Sequence, residues 1–338
     1  MHVLVTGGTG FVGAYSTKAI ADAGHRVRLL VRDPARVDTN VTPLGVEIDG
    51  VAVGDMTDAA AVGAAMDGCD AVLHCAAVVD LGRRNAERVL RTNTTGVRTV
   101  MRCALERSLD PIVYVSSVSA LFAPGLDALD VDLPPVDATT PYGRSKARSE
   151  AYVRELQRDG APITTTYPGG VLAPPAGTAA GEVAEPVRYE LSTGVLPTPD
   201  GGWSIIDARD LGRVHAAVLE RGRGPRRYMC GGHYLSMRDT AALYRELTGR
   251  RFVVLPVPGA VWRGVGRALD TVARVVPFST PFTAEAMEMA TQWVSTDDHT
   301  LDALGVTLRD PHETFADAIR AYVVAGLLAP RHGGRLVR

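Results

Sequence analysis

In the stretch Pro141-Tyr142-Gly143-Arg144-Ser145-Lys146, a phenol and an amine stand four residues apart. Where such a stretch opens a helix, residues i and i+4 share one face, so Tyr142 and Lys146 point the same way. A phenol with an ordinary pKa of about 10 is a poor base at neutral pH, and an adjacent ammonium stabilises its phenolate. The pair can therefore exchange a proton with a hydroxyl or carbonyl oxygen. The same spacing also occurs on plain surface helices. Two features give it weight here. Of 36 basic residues only Lys18 and Lys146 are lysines, so a lysine four places after a tyrosine is not filler. Upstream, Tyr114-Val115-Ser116-Ser117 ends an apolar run. Ser117 can orient the reacting oxygen there, at the carboxyl edge where open α/β sheets place their sites. For one of the two serines, a strand-ending turn is reading enough.

These side chains need a scaffold, and the first half of the chain has the pattern of one. Apolar runs at 2–6, 26–31, 46–53, 70–74, 111–116 and 162–167 alternate with helical patterns near 11–23, 58–67, 85–107 and 142–159. Strands rich in Val, Ile and Leu, separated by helices, predict an α/β Rossmann fold with a doubly wound parallel sheet. After about residue 170, Pro174, Pro175, Pro186, Pro197 and Pro199 punctuate shorter elements. A strand and helix near 203–220 are expected to return to the sheet, and 238–250, 258–276, 281–292 and 311–326 read as helices. This divides the chain into a Rossmann domain over 1–170, rejoined by 203–230, and a smaller, mostly helical substrate-binding part over 171–202 and 231–338.

Between the first strand and first helix lies Gly7-Gly8-Thr9-Gly10-Phe11-Val12-Gly13. Gly7 permits the sharp turn, Gly10 admits a pyrophosphate to the backbone, and Gly13 lets the helix pack close to the sheet. Free N–H groups at the helix N-terminus then meet the phosphates, which predicts a dinucleotide site that includes Thr9, Phe11 and Val12. The second strand ends in Leu30-Val31-Arg32-Asp33-Pro34. A basic residue there holds a ribose 2′-phosphate and an acidic one a 2′-hydroxyl. Arg32 stands first, which favours NADP(H), while Asp33 keeps NAD(H) possible or simply starts the turn. Asp55 and Met56, after the third strand, are placed to meet the adenine, and Asp58 to cap the next helix.

A net charge of −2 and 22% charged residues argue against a nucleic-acid partner, which would need phosphate neutralisation. No run of 18 or more apolar residues offers a transmembrane span, and the N-terminus lacks a signal layout, so a cytoplasmic protein is expected. Cys69, Cys75, Cys103 and Cys230 fit no zinc spacing and read as buried fillers; no metal is expected. His233, His299 and His312 are assigned no chemistry, and Asp207 and Asp210 read as caps of a helix starting near Leu211. In 258–276, Val261, Val265, Leu269, Val272 and Val276 recur at helical spacing among Arg263, Arg267, Asp270 and Arg274. This helix either covers the substrate pocket or lies on a membrane surface.

Together, Thr6 to Gly13, the Tyr142–Lys146 stretch and Ser117 resemble the extended short-chain dehydrogenase/reductases over nearly the whole chain. The resemblance implies Ser117, Tyr142 and Lys146 as the catalytic triad. It implies further cofactor contacts at Ala76, Ala77, Pro168 and Gly169, a site-proximal helix asparagine at Asn93, and a homodimer formed through the long helices. The stretch His74-Cys75-Ala76-Ala77-Val78-Val79-Asp80 looks most like the 3β-hydroxysteroid dehydrogenase and dihydroflavonol reductase branches. Sugar-nucleotide epimerases carry a polar grip where this chain reads Tyr167-Pro168-Gly169-Gly170-Val171 and Gly202-Trp203-Ser204-Ile205-Ile206-Asp207. The expectation is a carbonyl/alcohol oxidoreductase for a neutral, moderately hydrophobic small molecule. An epimerase or dehydratase that retains its cofactor is the alternative. A non-catalytic cofactor sensor would not need Tyr142, Lys146 and Ser117 together.

Overall fold

The computed structural model describes all 338 residues except 80–84, 137, 139–140, 199, 274–283 and 338. Asp80, Pro199, Arg274, Val276 and the start of the helix expected from 281 lie outside the described residues. Seven parallel strands form the main sheet: β1 (His2–Thr6), β2 (Arg26–Val31), β3 (Gly50–Val53), β4 (Ala71–His74), β5 (Ile112–Val115), β6 (Ile163–Pro168) and β7 (Arg226–Cys230). Their order is β7-β6-β5-β4-β1-β2-β3, so the winding reverses between β1 and β4. A doubly wound sheet opens a crevice at the carboxyl ends of the strands where the order reverses.

Alternation along each strand feeds two cores. Val3, Val5, Leu29, Leu73 and Val113 face one side, beneath the helices Phe11–Asp22 and Ala208–Ala217. Leu4, Leu30, Val72, Ile112 and Ile163 face the other, beneath Ala59–Met66, Ala86–Glu106 and Pro141–Arg158. Successive side chains on a strand point to opposite faces, so near-continuous apolar runs are what a sheet covered on both faces requires. The expected strand 46–53 shortens to Gly50–Val53, because β3 is the sheet edge and Val46 and Ile48 pack beside the core without a partner strand.

The segment 203–230 divides. Gly202–Asp207 does not enter the main sheet; it pairs parallel with Gly170–Leu172 and antiparallel with His233–Ser236 in a three-stranded sheet. The helix Ala208–Ala217 and β7 do return to the main sheet's layers. The reason lies at two glycine pairs. β6 and β7 are neighbours up to Pro168 and Cys230, then part at Gly169-Gly170 and Gly231-Gly232, and Gly202–Asp207 fills the gap. A Cβ on Gly169 would stand 2.8 Å from the Ser204 oxygen, and one on Gly232 2.1 Å from the Ile205 oxygen. Hydrophobic periodicity carries no information on such a change of partner.

Asp207 caps the helix at Ala208, three residues earlier than expected. Asp210 caps nothing; it lies inside that helix and pairs with Arg213 and Arg309. The helix Gly259–Val272 also departs from expectation. Its buried seats are Gly259 and Gly266, which let it approach the helix Ala284–Gln292 closely, while Val261, Val265 and Val272 are exposed. Among the described residues, no helix is long and apolar enough to cross a membrane.

The helix Pro141–Arg158 is fastened by a buried ion pair. Arg154 donates to the fully buried Glu150 at 2.8 Å and to the carbonyls of Leu133 and Val131, and the Tyr167 hydroxyl donates to Glu150 at 2.6 Å. Removing one member of a buried pair leaves an uncompensated charge, at a cost of about 3–5 kcal/mol. Arg154→Met should therefore lower unfolding free energy by about that amount in urea titrations, and adding Glu150→Leu should restore much of it.

Candidate functional site

The carboxyl ends of the strands border a cleft of about 1350 Å³. Every residue predicted as a site residue lines it: the loop from Gly7 and Thr9 through Gly10, Phe11, Val12 and Gly13, then Arg32, Asp55, Met56, Ala76, Ala77, Ser117, Tyr142, Lys146, Pro168 and Gly169. Asn93 does not line it, but it ties two of its walls. Its side chain exchanges hydrogen bonds with Val78 N and O at 2.8 and 3.0 Å and donates to Ser145 Oγ at 3.0 Å. The loop after β4 is thus pinned to the helix that carries Tyr142 and Lys146.

The glycine loop fits a dinucleotide. Gly7 has φ +76°, and a Cβ there would stand 2.6 Å from the Ala76 nitrogen. A Cβ on Gly13 would stand 2.1 Å from the Gly7 oxygen, so both positions admit only glycine. Gly10 caps the helix with no side-chain bond, which leaves the first N–H groups open to an anion. Asn40, buried beneath the loop, donates to the Thr9 carbonyl at 2.8 Å and fixes its outer turn.

At the end of β2, Asp33 Oδ1 accepts from Ala35 N at 3.1 Å, which makes it a turn residue. Arg32 is exposed at the cleft edge, and Arg36, which the sequence reading passed over, lines the same edge. Neither forms an ion pair among the described residues. Asp55 accepts from Thr57 N and Oγ1 at 2.9 and 2.7 Å, and these bonds hold its carboxyl below the usual range, with Arg32 adding to the effect. Met56 packs on the helix Ala86–Glu106 where Gly96 leaves room.

Tyr142 and Lys146 sit in the first turns of Pro141–Arg158, with the Lys146 Nζ 5.8 Å from the Tyr142 ring centre. Lys146 Nζ donates to the Val115 carbonyl at 2.9 Å, which anchors the helix to the end of β5. Ser117, next along, hydrogen-bonds Tyr142 and accepts from Ser119 N at 3.2 Å. Behind them the buried His74 takes Thr6 Oγ1 at 2.7 Å and stacks on Tyr114; burial brings its pKa down to about 3, so it stays neutral. Burial lowers the Lys146 pKa to about 8, against the pull of Cys75 and Glu182.

The phenol departs from expectation. Tyr142 is pushed well above 10, first by burial and next by Glu182, and only the Ser117 bond opposes this. In the open cleft, desolvation outweighs the lysine, and Tyr142 is held as a proton donor. Glu182 carried no sequence signal, because it falls in the Pro- and Gly-rich stretch after 170. It lines the cleft, where the surrounding walls raise its carboxyl and Lys146 pulls it down.

Comparison with known proteins agrees with this geometry. The profile of the NAD dependent epimerase/dehydratase family matches residues 3–231. A Synechocystis sp. protein named as a dihydroflavonol 4-reductase is 32% identical over 265 residues, 75% of this chain and 73% of its own length. Sterol demethylase protein B of Methylococcus capsulatus is 24% identical over 97% of this chain and all of its own. The solved UDP-glucose-4-epimerase of Stenotrophomonas maltophila, with bound NAD and formylated UDP-arabinopyranose, superposes with a TM-score of 0.77. That match covers 97% of this chain and 99% of the other at 19% identity, and so speaks for the fold alone.

With only two lysines in the chain, ¹³Cε-lysine labelling should give two NMR signals. The Lys146 signal should titrate near pH 8, charged below and neutral above, and should vanish in Lys146→Met.

Proposed function

Since the chain belongs to the NAD dependent epimerase/dehydratase family and is an NAD(P)-dependent enzyme of the short-chain dehydrogenase/reductase type, we propose that it reduces a ketone or aldehyde on a moderately hydrophobic molecule with NADPH, or runs the reverse oxidation. The observation that carries this reading is the Ser117–Tyr142–Lys146 cluster facing the glycine loop across one cleft. When bound, the cofactor supplies or accepts the hydride. Tyr142, protonated in the resting protein, gives its proton to the carbonyl oxygen as that oxygen becomes an alcohol. Ser117 donates a hydrogen bond to the same oxygen, and the Lys146 ammonium balances the phenolate left behind. In oxidation the same groups act in the opposite order. The paired guanidiniums of Arg32 and Arg36 favour a 2′-phosphate, and Asp33, committed to its turn, is a poor acceptor for a ribose hydroxyl.

Tyr142→Phe should lower turnover by about 100-fold or more while cofactor affinity stays nearly unchanged. Full activity in that variant would remove Tyr142 from the proton path. Fluorescence titration should show tighter binding of NADPH than NADH, and Arg32→Ala should weaken NADPH by about tenfold with little effect on NADH. A preference for NADH would overturn the clamp. Cofactor that copurifies and is not consumed with substrate would instead favour an epimerase or dehydratase.

A further inference from the structure

The cleft has two electrical halves. Beside the glycine loop it carries Arg32 and Arg36, and Lys146 stands next to Tyr142. Beyond Tyr142, the residues lining the cleft include Glu182, Glu185 and Glu190 and no Arg, Lys or His. In a chain with 34 arginines this distribution is unusual, because arginine fills most places where a carboxylate needs a partner. Glu182 and Glu185 form no ion pair among the described residues.

Glu190 is the most informative of the three. It sits on the helix Ala184–Thr193, is 5% exposed, and lies among Leu172, Val187, Leu191 and Tyr244. Its Oε2 accepts from the Tyr244 hydroxyl at 2.9 Å, and no cation lies against either oxygen. Burial raises its pKa to about 8. A carboxyl left in apolar surroundings without a counter-charge destabilises the fold, and such groups gather where a ligand completes them.

The rest of the wall suits an apolar body. Trp203, Trp293, Met237 and Met287 supply rings and sulfurs. Trp293 is 7% exposed, and its indole N–H has no partner, so a polar group of the ligand has a donor waiting. Aromatic faces next to carboxylates attract positive nitrogen.

We propose that this half of the cleft selects carbonyl compounds that carry a positively charged nitrogen on an apolar body, with Glu190, Glu182 and Glu185 setting the charge preference. The proposal rests on the oxidoreductase reading above and names its substrate class. Three acetophenones of matched size, carrying a para aminomethyl, hydroxymethyl or carboxylate group, test it with NADPH and the full-length protein. kcat/KM should fall in the order cation, neutral, anion, with about tenfold or more between the extremes. That ratio should drop toward one in Glu182→Gln and in Glu190→Gln, whatever the absolute rate. Equal values across the three, or a preference for the carboxylate, would overturn the proposal. Equilibrium dialysis of the same ketones separates the two readings. Charge-ordered binding without Tyr142-dependent turnover upholds the acidic pocket and sinks the reductase. Turnover without charge order does the reverse, and an absence of both sinks both.

Discussion

Backbone meeting backbone, with no space for a Cβ, is the constraint from which the site follows. It acts at both ends of the cleft. At one end Gly7 and Gly13 bring the first helix against β1 and Ala76, which leaves open N–H groups at the helix start. At the other, Gly169 and Gly232 let β6 and β7 separate around Gly202–Asp207. Had the two strands stayed paired, the main sheet would have run on and closed the space that Pro168, Gly169 and Ser204 now border. The turn geometry at these places requires glycine both for its φ and for its bare Cα.

Within that frame, the charged groups near the reacting position are governed by desolvation. Lys146 is brought down to about 8 and Tyr142 is pushed up, so each is shifted toward its neutral form. His74 and Cys75 are neutral for the same reason. A site held this way responds strongly to any charge that enters it, because little water remains to screen the change.

Much of the frame can be read in the primary structure. The strands through β6 and the helices that cover them follow from apolar runs and helical spacing, and the glycine loop and Tyr142–Lys146 announce themselves by type and interval. The structure gathers all these residues in one cleft. What escapes the sequence is whatever depends on a partner distant in the chain. The placement of Gly202–Asp207 depends on where two other strands part. Glu182 and Glu190 acquire meaning only from the walls around them. The outward valines of Gly259–Val272 follow from glycines taking the inner seats, where periodicity alone would seat the larger residues.

The first helix has a further consequence for how such a protein can change over time. Its outer side is covered by Ala208–Ala217, with Gly212 set so close that a Cβ would stand 2.7 Å from the Tyr15 oxygen, and His215 bridges Ser16 and Thr166. The layer that holds the cofactor loop is therefore completed by residues that come after part of the substrate-facing wall in the chain. Neither portion can be exchanged with a relative by a single crossover without exposing Val3, Val5 and Leu211. New specificity in this architecture has to arise by local replacement in the loops and helices between 170 and 202 and beyond 231, rather than by wholesale shuffling.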